Sequence, residues 1–368
     1  MPVGSFTHTL PVVRGVQSGR EYYVTMCPLK LIPKLFLFDE APVPAELRAQ
    51  RAINKSRIPE ITDYIVKNPK SYTLSAITAS VDSRIRFIPF DEHDEEKHLG
   101  TITIPMDARL VVNDGQHRRA AIEQALRVSP GLGHETIPVV LFVDAGLKRS
   151  QQMFADLNKY AVRPSASLGV LYDQMDPLAE LVREVAFKVP LFRDRIDKEK
   201  TTISNRSSKL FTLSSVFQAT KSLLGKKKRK EPVSRSESQI ALEYWTELPA
   251  HIPEWKLLLE GKITSSELRT NYVHAHGVVL HALGAAGNSL IANHAPQWKR
   301  LLGKLESINW SRGNPDWNGR AMVGGRLSKA QVNVVLTTNY IKHHLELGLS
   351  PEEERIETGH TGNGADTS

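Results

Sequence analysis

The stretch that decides the fold of this chain is Val111-Val112-Asn113-Asp114-Gly115-Gln116-His117-Arg118-Arg119-Ala120-Ala121. Its β-branched pair predicts a strand end, Asn-Asp-Gly predicts a turn, and the alanine-rich residues that follow predict a helix through Ala125. A helix that starts directly after such a turn exposes backbone N–H groups, and its dipole adds partial positive charge there. The stretch therefore predicts a strand–turn–helix unit with a positively polarised junction.

The side chains at this junction suit an anion. His117, Arg118 and Arg119 follow Gly115 directly, so the junction predicts a phosphate site, and a nucleoside triphosphate is a candidate ligand. An ordinary turn with exposed arginines is the alternative. Asp114 is expected to cap the helix, and His117 to donate to phosphate, to act in acid–base chemistry or to pack in the core. We assign no catalytic residue, because the sequence shows no paired carboxylates, no Ser/His/Asp order and no P-loop motif.

The segment Asp114-Gly115-Gln116-His117-Arg118 is also, letter for letter, the signature of the DGQHR-domain family. Within that family the chain resembles the DndB members, which belong to DNA phosphorothioation (DNA sulfur modification) systems. The resemblance covers residues 20–175 and includes the segments Tyr22–Leu29, Phe36–Glu40, Arg57–Ile61 and Phe154–Asn158. The family is similar in turn to ParB/sulfiredoxin-like domains, in which a Gly-x-x-Arg turn binds nucleotide phosphates.

This resemblance implies roles for individual residues. The turn that it implies for phosphate or nucleotide binding consists of Asp114, Gly115, Gln116, His117, Arg118 and Arg119. It implies that Asn158 accompanies the turn, although an asparagine that ends a helix fits the sequence equally well. It also implies that Arg57 approaches nucleic acid or phosphate, with a solvated arginine as the alternative.

Length and composition indicate two domains. The chain has 368 residues, of which 40% are hydrophobic and 24% charged, so a sizeable core is expected. We predict an α/β (α+β), ParB/sulfiredoxin-like domain with a mixed sheet over residues 1–170 and a mainly α-helical domain over residues 171–349. The acidic, Gly/Thr-rich residues 350–368 predict a disordered tail.

Periodicity predicts the individual elements. Strands are expected at residues 35–38, 77–81, 85–90, 101–104 and 137–143, the last as a buried strand. Helices are expected at residues 48–66, 178–189, 211–224, 239–248, 273–292 and 330–347.

A strongly basic segment interrupts the helical part. Residues 225–238 contain Gly, Pro and several serines, which predicts a flexible basic linker. Its consecutive cations are Lys226, Lys227, Lys228, Arg229 and Lys230. Together with the net charge of +8 they favour contact with the phosphates of double-stranded DNA. A solvated loop without a partner is the alternative.

The histidines and the cysteine predict no metal site. His274 and His281 share a helix face that His276 does not, and no carboxylate cluster accompanies them. Cys27 is the single cysteine, which excludes an internal disulfide and agrees with a reducing cytosol. A buried thiol is its expected state. Because no stretch approaches the ~20 apolar residues of a spanning helix, we expect a cytoplasmic protein without a membrane partner.

Three functions stay open at this point. The first is a DNA-binding transcriptional regulator, a repressor, that binds the promoter of its own phosphorothioate modification operon. Its sequence specificity rests on the resemblance, because no helix-turn-helix is evident. The second is a ParB-like accessory protein that binds or hydrolyses a nucleotide. The third is an assembly factor that docks on other DNA sulfur modification proteins, and a homo-oligomer is compatible with all three.

Overall fold

The structure is a computed structural model that describes residues 7–36, 57–91, 98–143, 164–228 and 230–364. The chain divides into two compact units, residues 1–162 and residues 163–368, here called unit 1 and unit 2. The boundary expected at residue 170 falls inside a helix of unit 2, Ala166–Tyr172. Asn158 and Arg229 lie outside the described residues.

Unit 1 is built on a mixed seven-stranded sheet, which confirms the predicted α/β class with a mixed sheet. Its strands are β1 (Thr7–Gln17), β2 (Arg20–Pro28), β3 (Ile77–Val81), β4 (Arg86–Pro89), β5 (Leu99–Pro105), β6 (Leu110–Asp114) and β7 (Thr136–Val143). Their order is β4-β5-β1-β2-β7-β3-β6. β3 and β7 run parallel, and the other neighbouring strands run antiparallel.

The helices of unit 1 are α1 (Ile32–Leu35), α2 (Arg57–Lys67) and α3 (Gln116–Val128). α2 and α3 bury Ile65, Ala121 and Ile122 in the same core as the sheet. The strand expected at residues 35–38 is wrong in its described part, because Leu35 ends α1. Pro33 lies in the first turn of that helix, where its fixed φ favours helical backbone.

The apolar strand β7 is confirmed, although it is not buried throughout. Ile137, Val139 and Leu141 have at most 1% exposure, whereas the alternate residues Val140 and Phe142 are only half-buried. One face of the strand therefore supplies the core.

Unit 2 is mainly helical, and the helices expected there from periodicity are confirmed except at two starts, where residues 211–212 form a strand and residues 273–275 a 3-10 helix. They are α4 (Ala166–Tyr172), α5 (Pro177–Lys188), α6 (Leu213–Leu223), α7 (Arg235–Glu247), α8 (Pro253–Leu259), α9 (Ser265–Asn271), α10 (Gly277–Asn293), α11 (Trp298–Leu302), α12 (Gln331–His344) and α13 (Pro351–Gly364). Two small ladders pair β8 (Ile196–Asp197) with β9 (Phe211–Thr212) and β10 (Met322–Val323) with β11 (Arg326–Leu327). The tryptophans of the chain all belong to this unit: Trp245, Trp255, Trp298, Trp310 and Trp317.

The expectation of a disordered tail is wrong for residues 351–364, which form α13. Ser350 and Glu353 form a reciprocal capping box at its start: the Ser350 N–H donates to the Glu353 carboxylate at 2.8 Å, and the Glu353 N–H donates to Ser350 Oγ at 3.4 Å. Glu353 also accepts from Lys342 at 2.7 Å, and Glu357 pairs with Arg320. The acidic residues that suggested disorder are thus the partners of buried and half-buried cations. No helix within the described residues is long and apolar enough to cross a membrane.

Candidate functional site

The turn between β6 and α3 requires glycine at position 115. Gly115 has a φ of +106°, a left-handed conformation that other residues rarely adopt. A Cβ atom here would lie 3.0 Å from Ile77 Cγ1 and 3.1 Å from Arg118 Nη2. The predicted strand–turn–helix unit is confirmed, and its glycine provides both the turn and the space over which the Arg118 guanidinium folds back.

Arg118 holds this turn together. Its Nη2 donates to the Asp114 carboxylate at 2.6 Å and to the carbonyl oxygen of Ala76 at 2.9 Å. The side chain of Arg118 is 21% exposed and that of Asp114 44%. Asp114 does not cap α3, contrary to expectation: no side chain caps that helix, because the Asp114 carboxylate turns to the guanidinium instead. A phosphate arriving from solvent therefore competes with Asp114 for Arg118.

Arg119 and Gln116 point into unit 1. The Arg119 guanidinium donates to the carbonyl oxygens of Phe36 and Pro33 at 2.8 and 3.2 Å and pairs with Glu123 at 2.8 Å. Its side chain is only 13% exposed. Gln116 is buried, and its Nε2 donates to the carbonyl oxygens of Val112 and Asn113. These residues order the junction from inside.

His117 and Arg57 lie near each other at the outer side of the junction. Burial lowers the pKa of His117, and the positive charges of Arg57 and Arg118 lower it further, while Asp114 raises it. The imidazole is therefore neutral near pH 7. Arg57 is exposed at the start of α2. The structure thus places Arg57, His117 and Arg118 close enough for their charges to interact.

The basic segment in unit 2, expected as a flexible linker over residues 225–238, starts with a hydrogen-bonded helix end. Gly225 has a φ of +63° and ends α6, and the Lys226 N–H donates back to the carbonyl oxygen of Lys221 at 3.0 Å. These bonds form the glycine-terminated motif common at helix ends. The next helix, α7, already begins at Arg235.

Within this segment the lysines differ in their surroundings. Lys226 is 12% exposed at its side chain and pairs with Glu237 at 2.6 Å, so it fastens the turn to α7. Lys227 and Lys228 are exposed, while their backbone N–H groups donate to the Glu231 carboxylate. Lys230 is also exposed. Lys227, Lys228 and Lys230 are therefore exposed to solvent, and the backbone N–H groups of the first two are held by Glu231.

The histidines near α10 each contact a different protein group. His274 is fully buried beside Glu254, His276 Nε2 donates to the carbonyl oxygen of Arg269 at 2.8 Å, and His281 contacts Ser222 Oγ at 2.7 Å. In the described part of the chain no group of three or more His, Cys, Asp or Glu side chains is arranged to hold a metal ion.

A group of basic residues in unit 2 was not predicted from the sequence. Arg269, Arg312, Arg326 and Lys329 line one cavity together with the start of α10. They come from three separate segments and none belongs to a basic run, so no local signal marks them.

A family model described as DndB, DNA-sulfur modification-associated, matches residues 10–348. This chain belongs to the DndB family. The resemblance inferred from the Asp114–Arg118 signature is therefore confirmed, and the DndB family associates the chain with DNA sulfur modification. No curated protein and no solved structure matches the chain. The ParB-like alternative is not favoured, since its support is only the similarity of the DGQHR-domain family to ParB/sulfiredoxin-like domains.

Proposed function

We propose that this DndB-family chain is a DNA-binding transcriptional regulator that represses the gene cluster for DNA phosphorothioate modification. Membership of a family associated with DNA sulfur modification supports the biological context. The observation that carries DNA binding is the exposed group Lys227, Lys228 and Lys230, which follows the hydrogen-bonded end of α6. Each of these cations can neutralise a backbone phosphate and release a counterion.

The turn at Gly115 supplies a second set of DNA contacts in this proposal. Arg57 is exposed, and it lies close enough to His117 for its charge to lower the pKa of the histidine. The two side chains are therefore neighbours. Arg118 Nη2 donates to both Asp114 and the Ala76 carbonyl, so a backbone phosphate takes the place of Asp114 as its acceptor. Contacts of this kind position a protein on DNA and carry no base specificity by themselves.

The test is a salt titration of DNA binding by the full chain. The promoter DNA upstream of its own operon and a scrambled duplex of equal length are compared, each with and without ATP. The double variant Lys227→Gln/Lys228→Gln is expected to weaken binding to both duplexes alike. The slope of log affinity against log salt should become shallower by about 0.9 for each phosphate that the protein no longer neutralises.

A matched control separates local contact from overall charge. Lys256→Gln/Lys262→Gln removes the same charge from exposed lysines elsewhere in unit 2, whose side chains are 48% and 66% exposed. We expect this control to keep the salt slope of the unmodified protein. Equal slopes for both double variants would remove the lysine turn from the DNA surface. Equal affinity for promoter and scrambled DNA would contradict the regulator proposal.

A further inference from the structure

The fold of unit 2 gathers cations around a cavity of about 320 Å³. The strong cations in its wall are Arg269, Arg312, Arg326 and Lys329. Among the described residues that line it there is no aspartate or glutamate. Its volume lies at the lower end of the range for small-molecule sites. The cavity is therefore a concave, positively charged surface of the size that suits a small anion.

Arg269 contributes a buried charge that no acid compensates. It is 5% exposed, and its guanidinium donates to the backbone carbonyl oxygens of Ile203, Ser204, Leu210 and Ala275 at 2.7–3.1 Å. No carboxylate in the described part of the chain pairs with it. Buried charges are ordinarily paired with opposite ones. Burial and the neighbouring Arg312 lower the pKa of Arg269 to about 10, so the guanidinium still carries its charge at neutral pH.

The start of α10 opens into the same cavity. This helix begins at Gly277, and no side chain caps it. A Cβ atom on Gly277 would lie 2.6 Å from Ser215 Oγ and 3.3 Å from Lys329 Cε. Because glycine carries no Cβ, the backbone of Gly277 itself lines the cavity between these two side chains, and the first N–H groups of a helix have no partner within the helix. The helix dipole adds positive charge at this end.

The side chains of the other three cations have N–H donors that few protein acceptors use. The side chains of Lys329 and Arg326 form no hydrogen bond or ion pair with any described residue, and the Arg312 side chain makes one long hydrogen bond, from Nη1 to the carbonyl oxygen of Thr270 at 3.5 Å. Burial and the charge of Arg269 lower the pKa of Lys329. Burial is the larger cause of the lowered pKa values of Arg269 and Lys329, and repulsion from a neighbouring arginine is the smaller one, which a bound anion would relieve.

We propose that this cavity binds the phosphate group of a small ligand. Arg312, Arg326 and Lys329 neutralise its charge, and the N–H groups at the start of α10 donate to its oxygens. Arg269 acts as a positioning residue that holds the surrounding backbone and adds to the potential. A phosphate suits the site better than a carboxylate, because its larger charge and three terminal oxygens match several cations and backbone donors at once. The proposal is independent of the DNA contacts described above.

The test is calorimetric titration of the full chain with inorganic phosphate, AMP and adenosine. Phosphate and AMP are expected to bind, and adenosine is not. Lys329→Gln and Arg326→Gln should each weaken phosphate binding about ten- to a hundredfold, as expected when one charge-assisted hydrogen bond is removed. Arg300→Gln is the matched control, since Arg300 is exposed on α11 and does not line the cavity. It should leave binding unchanged.

Competition identifies the source of the phosphate. If AMP displaces inorganic phosphate and duplex DNA does not, the ligand is a small phosphate ester; displacement of inorganic phosphate by duplex DNA as well would overturn the assignment to a small ligand. Gly277→Ala should abolish binding while circular dichroism shows an intact fold, and Lys329→Gln covers the case in which that variant does not fold. The proposal is overturned if Arg300→Gln weakens phosphate binding as much as Lys329→Gln does, or if adenosine binds as tightly as AMP. It is also overturned if phosphate shows no saturable binding with a Kd of about 1 mM or tighter.

Discussion

Asp114 and Arg118 form an ion pair of 2.6 Å across the turn at Gly115, and the same guanidinium nitrogen holds the carbonyl oxygen of Ala76. The signature that marks the family therefore contains an internal acid–base pair. In the free protein, Arg118 joins β6 and α3 to the segment that precedes β3. Any ligand that uses this arginine has to compete with a neighbouring carboxylate.

Asp114→Asn and Arg118→Gln should consequently have opposite effects on DNA binding. Removing the carboxylate frees Arg118 and is expected to strengthen DNA binding several-fold, whereas Arg118→Gln weakens it and lowers the stability of unit 1 by about 1–2 kcal/mol. DNA titration and thermal unfolding measure the two effects separately. Unchanged DNA affinity in both variants, together with lower stability of Arg118→Gln, would make the arginine purely structural.

Gly115→Ala is expected to destabilise unit 1 by about 1–3 kcal/mol. Alanine at a φ of +106° is strained, and its Cβ would press on Ile77 and Arg118. Gly131→Ala is the control, because Gly131 has no positive φ and no atom within 4 Å of its added Cβ. Differential scanning calorimetry measures both variants. Equal unfolding temperatures would show that the turn relaxes without cost.

His276 should make unit 2 sensitive to acid. Burial first, and then the charge of Arg269, lower its folded-state pKa to about 3. The unfolded chain therefore takes up this proton first, as pH falls below the ordinary histidine value of about 6.5. The stability contributed by His276 is complete above about pH 6.5 and is lost progressively between about pH 6.5 and 3.

His276→Gln should flatten this dependence by up to about 1.4 kcal/mol per pH unit. Glutamine retains an N–H donor for the Arg269 carbonyl but does not titrate. Tryptophan fluorescence during denaturant unfolding reports on unit 2 alone, because all the tryptophans lie there. His343→Gln, at an exposed position, is the control. Parallel pH profiles for His276→Gln and the unmodified protein would contradict the prediction.

Cys27 should resist alkylation in the folded protein. Its side chain is fully buried, and burial raises the pKa of the thiol to about 11. Cys27→Ser is expected to remain folded but to lose about 1–3 kcal/mol, because a hydroxyl in this site lacks a good partner. Cys27→Ala is the comparison without a polar group. Rapid reaction with iodoacetamide under native conditions at pH 8 would show that the thiol is accessible.

Local signals predicted the elements whose geometry is local. The β6–α3 unit follows from two β-branched residues, a turn tripeptide and an alanine-rich helix, all of which favour the same structure. The contact of Arg118 with Ala76 could not be predicted in this way, since Ala76 lies 42 residues away and offers only its backbone carbonyl. The inward direction of Arg119 could not be predicted for the same reason. Its acceptors are the carbonyl oxygens of Phe36 and Pro33, which only the tertiary packing brings close.

Long-range charge pairing explains the other failures. The acidic composition after residue 350 suggested disorder, although Ser350-x-x-Glu353 carried a recognisable capping signal. What stabilises α13 is its contact with Lys342 and Arg320, which composition does not show. The cavity cations could not be predicted because they are brought together only by tertiary structure.

The family match ends at residue 348, but the packing does not. Lys342 and Arg320 have side chains only 7% and 14% exposed, and their carboxylate partners lie on α13, beyond that limit. A protein shortened to residues 10–348 would keep the whole region matched by the family model. It would leave two largely buried cations without their carboxylate partners. Helix α13 thus lies outside the region that defines the family, but its carboxylates complete the ion pairs of that region.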